Sequence, residues 1–326
     1  MALRVFTTAR AALETARGTT TTPTRLIYGD EFVHEQNVET IRPEELRNSY
    51  AGFFAASAGR ETNRITIRSR ATYDDMPWYG ACFLKGGVSP TGGGDPYTWT
   101  YLPTLTSDDL KTIEFQLGYS DTIGASAPGI KLNYCLGESL NMHWEKSEDA
   151  GITMEATFLA ATAATQITAF TGSLSDRTVT YASTNNTTIY SDPGGTIGAT
   201  ADSYIIAVDW TLNLNPVPLY TLDATTAAKA IYRPQHRTWT ATITRQFFND
   251  TFWDDFIDKT VQKLRIKTSS GASRNIQLDL YGVYTARSWS EVDGIITEEL
   301  TLEPVYDATS TSDHNMVILC DEATVT

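Results

Sequence analysis

The chain is 326 residues long, 41% hydrophobic and 20% charged, and its 39 acidic against 25 basic side chains leave a net charge of −14. Those values fit a globular protein of two domains of about 150 residues each, and the acid excess argues against wrapping duplex DNA, which needs clustered Lys and Arg. Cys82, Cys135 and Cys320 are too widely spaced for a disulfide framework or a zinc knuckle, Met1–Phe6 lacks the apolar core of a signal peptide, and no apolar run is long enough to span a bilayer.

Residues 1–24 read as an N-terminal arm, Thr-rich and with little to bury, holding at most a short helix over residues 9–17. Residues 25–38 read as a first strand. Residues 39–62, with Pro43, Gly52 and Gly59, read as a long polar loop of the kind that usually carries function. Residues 64–70 alternate with period two, as a half-exposed strand does. Asp74 or Asp75 is then placed to cap a helix over residues 76–85, stopped by Gly86 and Gly87. Residues 90–129 read as a Gly-rich turn and two strands, 97–105 and 110–119. Strands at 130–136 and 151–159 close the first half, which is long enough to bury its own core. A Ser/Thr/Asn/Gly-rich boundary follows at 171–202. In the second half, Asn249 or Asp250 caps a helix whose apolar positions Phe252, Trp253, Phe256, Ile257, Val261 and Leu264 fit one helical face. Strands at 276–281 and 295–305 come last.

The two halves repeat one another. Arg70-Ala-Thr-Tyr-Asp-Asp-Met-Pro-Trp78 is echoed by Arg245-Gln-Phe-Phe-Asn-Asp-Thr-Phe-Trp253 at an offset of 175 residues. Gly137 and Trp144 are answered by Gly282 and Trp289, and the stripe Thr153, Glu155, Thr157 by Thr297, Glu299, Thr301. Such ordered self-similarity marks two diverged copies of one domain. At that offset the strand before the Arg has opposite apolar parity in the two copies, which a bulge or one-residue slip would explain. The stripe belongs either to a sheet with one wet face or to a wet face lining a channel. Glu298, among the apolar positions of the second stripe, has no explanation in the pattern.

Little in the sequence points to catalysis. His34, His143, His236 and His314 are scattered singly, no Gly-x-Ser-x-Gly is present, and the pairs Asp74-Asp75 and Asp254-Asp255 read as helix capping and N-terminal helix charge. No enzyme activity, catalytic residue, metal or cofactor is expected.

The order of motifs resembles the tail tube proteins of long, non-contractile-tailed bacteriophages. It is carried by Thr22-Pro-Thr-Arg-Leu26, Glu39-Thr-Ile-Arg-Pro-Glu-Glu-Leu-Arg47, Gly59-Arg60 with Thr72-Tyr-Asp-Asp75, Leu84-Lys-Gly-Gly-Val88, Tyr97-Thr-Trp-Thr-Tyr-Leu-Pro103 and Leu110-Lys-Thr-Ile-Glu114. The resemblance covers most of residues 10–170 and is weaker in the second half. It implies a mainly β fold: a β-sandwich or half-barrel with one flanking α-helix per unit, in two tandem tail-tube domains at 25–172 and 173–326. It implies homotrimeric, pseudo-hexameric rings stacked into a virion tail tube, assembled in the host bacterial cytoplasm. Its partners would be further copies of itself, a tape-measure protein, tail terminator and distal tail proteins, and DNA passing without specific binding; no membrane is implied. Thr153, Glu155, Thr157, Thr297, Glu299 and Thr301 would face the lumen. Glu39, Arg42, Glu44, Glu45 and Arg47 would bridge to the next ring, together with the arm and residues 216–236. A distal-tail or baseplate ring of the same fold, or a carbohydrate-binding β-sandwich, is the alternative.

Overall fold

Alternation of buried and wet side chains runs through most of the chain, and with it the chain folds as mainly antiparallel β. The computed structural model describes residues 8–41, 57–104, 109–118, 129–146, 151–222, 225–233, 237–247, 251–292 and 294–325. The first half holds β1 (Thr8–Leu13), β2 (Arg25–Ile27), β3 (Glu31–Ile41), β4 (Ser57–Arg70), α1 (Met76–Phe83), β5 (Tyr97–Tyr101), β6 (Ile113–Gly118), β7 (Gly129–Glu145), β8 (Thr153–Ala160) and β9 (Thr165–Ile167). The second holds β10 (Thr187–Ser191), β11 (Ile205–Asn213), β12 (Val217–Leu219), β13 (Ala230–Tyr232), β14 (Thr238–Gln246), α2 (Thr251–Ile257), β15 (Gln262–Ser270), β16 (Arg274–Val292), β17 (Ile295–Pro304) and β18 (His314–Cys320).

All but β12 and β13 join one sixteen-stranded sheet system. In the first half the pairing order is β3-β4-β8-β7-β6-β1, and in the second it is β11-β14-β17-β16-β15-β10. The two series match strand for strand, and β7 pairs with β11 to join them. β7 and β16 are long because each serves two sets of partners. β7 pairs with β6 and β9 near its start and with β8 and β11 further on; β16 passes from β15 and β18 to β17. Register shifts at Gly137/Ser139 and Tyr284/Ala286 mark the hand-overs, where an extra residue lets a strand turn. Gly137 and Gly282 lie beside these shifts because neither site has room for more. A Cβ would come within 2.7 Å of the Phe83 ring at Gly137 and 2.2 Å of the Glu303 carbonyl oxygen at Gly282.

The structure corrects several sequence expectations. Residues 8–13, expected in a loose arm or a short helix, form β1, buried between β2 and β6. Small side chains (Ala9, Ala11, Ala12) let both of its faces be covered, so no alternation advertises the strand. Glu14 holds the following turn by accepting from Gly18 N, Thr112 Oγ1 and Tyr134 N at 2.6–2.7 Å. Asp75 makes no side-chain cap on α1. It instead accepts from Arg25 Nε (3.0 Å), from Thr72 Oγ1 (2.7 Å) and from Arg177, while Asp74 Oδ2 accepts from Thr180 N. α2 ends at Ile257, and Leu264 lies in β15; Lys259 at φ 54° breaks the helix. The proposed caps Asn249 and Asp250 lie outside the described residues. Nor do the halves bury separate cores: one contiguous hydrophobic cluster runs through both. β5, from the first-half insertion, pairs with β18 of the second, and the two pack on α1, all of whose residues are buried. Trp99 Nε1 donates to Glu322 O (2.9 Å) and the Tyr101 hydroxyl to Pro77 O (2.6 Å).

β18 is entered through a charged pair. Asp313 lies against the fully buried His314 ring (2.9 Å) and Arg237. Burial alone pushes the Asp313 carboxyl up, but the hydrogen bond and charge of His314 and the charge of Arg237 outweigh it and hold the group at about 2, against an ordinary 3.8. A depressed carboxylate contributes stability that is present above pH 3.8 and lost as pH falls through 2. Asp313→Asn is therefore expected to cost about 2 kcal/mol at pH 7 and to remove that acid limb; denaturant titrations at pH 7, 4 and 2 read both effects.

Candidate assembly interface

Alternate residues of the central strands point to one wet face that crosses both halves. A single row of opposed residues runs Arg70, Thr153, His143, Asp209, Thr242, Thr301, Ala286 across β4, β8, β7, β11, β14, β17 and β16. The next row begins Glu31, Arg68, Glu155, Asn141, Thr211. Arg68 bridges Glu155 (2.6 Å) and Glu31 (2.7 Å), tying three strands, and the hydrogen bonds it donates to Glu155 and then Glu31 push its guanidinium pKa further up. Arg64 forks onto both oxygens of Glu138 at 2.8 and 3.1 Å, and His143 lies 2.5 Å from Asp209 across the junction between the halves. Carboxylates outnumber cations on this face: Glu31, Glu35, Glu138, Glu145, Asp209, Glu155, Glu299 and Glu303 stand against Arg64, Arg68 and Arg70. Exposed pairs of this kind stabilise by under about 1 kcal/mol each, so their main effect is the sign of the field.

Five of the six stripe residues (Thr153, Glu155, Thr157, Glu299, Thr301) are half-buried or exposed on this face. Thr297 shares it but is buried, its hydroxyl 2.8 Å from Ser290 Oγ. Glu39 is exposed near the end of β3. Arg42, Glu44, Glu45 and Arg47 lie outside the described residues. The segment expected to echo that loop, residues 216–236, includes the β12–β13 ribbon, which folds back on β4. Tyr220 donates to Glu61 O (3.0 Å), and Glu61 N donates to Thr226 O (2.8 Å). Burial pushes the Glu61 carboxyl up, but hydrogen bonds from Asn63, Ala164 N, Gln36 and Thr226 carry it below its ordinary value.

The opposite face of the second half holds a buried ion triad. Glu298, 1% exposed, takes Arg287 on Oε2 (2.9 Å) and Arg245 on Oε1 (3.6 Å). The Arg287 guanidinium lies 5.3 Å from the Trp253 ring centroid and 5.1 Å from that of Trp289. Register identifies the counterparts. Ser69 opposes Met154 as Arg245 opposes Glu298, and Leu140 opposes Ala156 as Arg287 opposes Leu300. The parity mismatch is thus a one-residue slip: β14 matches β4 at an offset of 176 (Thr66 to Thr242), while the flanking motif keeps 175. The same registers separate the tryptophan echoes. Trp144 is buried and Trp289 is 61% exposed; Trp78 is buried and Trp253 is 44% exposed.

Two edges of the wet-faced sheet have no strand partner among the described residues. The outer edge of β3 is one, since β3 pairs only with β4. Residues 283–292 of β16, which pair only with β17, form the other. These are the edges that correspond to β11 and to β7 at the internal junction, where both are satisfied by each other. Near the β16 edge the exposed Trp253 and Trp289 rings flank Arg287, and Ile295 and Ile296 at the start of β17 are exposed as well, apolar surface of the kind that marks an interaction site. No family model matches this sequence, and no curated protein matches it either.

Removing one member of a buried ion group strands the others. Glu298→Ala is expected to cost about 3–5 kcal/mol, read by denaturant unfolding, because Arg287 and Arg245 both lose a buried carboxylate partner, although Arg245 also lies 3.8 Å from Asp202. Replacing the triad together by its first-half counterparts (Arg245→Ser, Glu298→Met, Arg287→Leu) is expected to leave stability within about 2 kcal/mol of the starting protein. Equal losses in the two variants would show that charge pairing is not what the triad supplies.

Proposed function

We propose that this chain is a structural, non-enzymatic subunit of a bacteriophage tail tube. Its two tandem tube domains form rings of three chains and six units, and the rings stack into a conduit for the DNA genome. The reading is supported by one observation: two units with the same strand order are joined edge to edge, and the corresponding edges at the two ends have no strand partner among the described residues. A patch that differs from its partner patch repeats head to tail, closing laterally into a ring and stacking into a filament where the axial contact stays open. Open edges normally invite aggregation, and closure into a barrel removes them.

The acid excess on the wet face fits a lumen lining. Such a wall repels phosphates, so DNA slides past without sticking, the reverse of counterion-release binding. The ring's neighbours would be a tape-measure protein inside and terminator or distal-tail rings at the ends, in the virion tail.

Negative-stain microscopy of the purified protein at rising concentration tests this directly. Stacked rings with threefold or pseudo-sixfold symmetry are expected; isolated rings that never stack would favour a distal-tail or baseplate ring, and monomers at every concentration would remove the proposal. Trp289→Ser is expected to abolish assembly while costing the monomer no more than about 1–2 kcal/mol, the loss of its contacts with Arg287 and Phe247.

A further inference from the structure

The internal junction carries more than the fact of pairing. It contains a register, and that register can be transferred to the open edges. β3 and β11 correspond at an offset of 176, because Val33 opposes Thr66 as Asp209 opposes Thr242. The free part of β16 corresponds to β7 at an offset of 147, because His143 opposes Thr153 as Ser290 opposes Thr297. Inside the chain His143 faces Asp209, Asn141 faces Thr211 and Met142 faces Trp210.

We infer that β16 of one copy pairs antiparallel with β3 of a second copy in a single register, with Ser290 opposite Val33, Ser288 opposite Glu35 and Trp289 opposite His34. This rests on the reading of the chain as a ring-forming subunit and names the partner surface of that ring.

Side-chain chemistry agrees with the transferred register. On the wet face it sets short, uncharged Ala286, Ser288 and Ser290 against Asn37, Glu35 and Val33, so no like charges face each other. On the other face it brings the exposed Trp289 indole to the strand that carries Phe32, His34 and the exposed Val38. Arg287 comes opposite Gln36, where Leu140 meets Leu212 in the internal junction. A one-residue slip would turn Trp289 toward the acidic wet face of its neighbour. A two-residue slip toward the end of β16 would bring Glu35 opposite Ser290, beside Glu291, and carry Glu31 past the last residue of β16.

Paired cysteines test the register. Directly opposed residues in an antiparallel pair have Cα atoms about 4.5–5.5 Å apart, within disulfide reach, whereas a two-residue slip carries them beyond it. Burial pushes the thiols of Cys82 and Cys135 well up and that of Cys320 to about 12, so the native cysteines stay inert. Under conditions where the parent protein assembles, V33C/S290C is expected to form interchain disulfides on mild oxidation at least tenfold more than V33C/S288C or either single variant. Equal or greater cross-linking by V33C/S288C would overturn the register. Tubes that form without any 33–290 bond would overturn this seam and leave the tube reading intact, while failure of the parent protein to assemble at all would remove both. If the double variant does not fold, hydrogen exchange on the parent protein decides. Amides of residues 32–37 and 286–291 are expected to slow at least tenfold on assembly, and unchanged rates in the assembled state would overturn the seam.

Discussion

A β-strand at the margin of a sheet presents a row of peptide N–H and C=O groups, and most of this molecule follows from how that row is satisfied. The outward row of β7 is met by β11, residue for residue from Ser139 against Asn213 to Glu145 against Ala207. That one ladder fuses two units into a continuous sheet and carries the wet face across the join. It also places the corresponding rows of β3 and β16 at opposite ends. Each hydrogen bond in such a ladder contributes only about 1 kcal/mol net. The larger effect is that a buried row left unmet would be expensive.

The units have diverged where their surroundings differ. α1 lies under β5 and β18 and is buried along its whole length, whereas α2 has Trp253 and Ile257 in the open. Positions held by Ser69, Met154 and Leu140 in the first unit carry Arg245, Glu298 and Arg287 in the second. Charged groups at such depth stabilise little compared with hydrocarbon of similar volume. They do set a strict requirement for their partners, and Arg287 in turn supports the exposed Trp253 and Trp289 rings.

The β character and the wet stripes were legible because they rest on local period. What the sequence hid was mostly long-range. β1 was invisible because alanines let both its faces be covered. Val261 and Leu264 fell at helical spacing by coincidence and belong to the chain around β15. Asp74 and Asp75 looked like caps because a helix follows them, yet apart from Thr72 their side chains bond Thr180, Arg25 and Arg177, which no local pattern connects to the corner. The oddity of Glu298 and the parity conflict were both readable, but the pattern left them unconnected, because the Arg245–Glu298 contact depends on the pairing of β14 with β17. The free edges were not readable, since an edge is defined by the pairings a strand lacks.

The corner at Asp75 gathers parts made at very different times. Arg25, Arg177 and Glu322 converge there, and β18 lies over α1 beside β5. A ribosome that has released the first unit has therefore made α1 with β5 but without β18 over it, and the Arg25–Asp75 pair without Glu322. The first unit waits for residues around 314–322 before its core is closed, so the order of synthesis is not the order of completion. The two halves share one hydrophobic core, so a cut between them would open both.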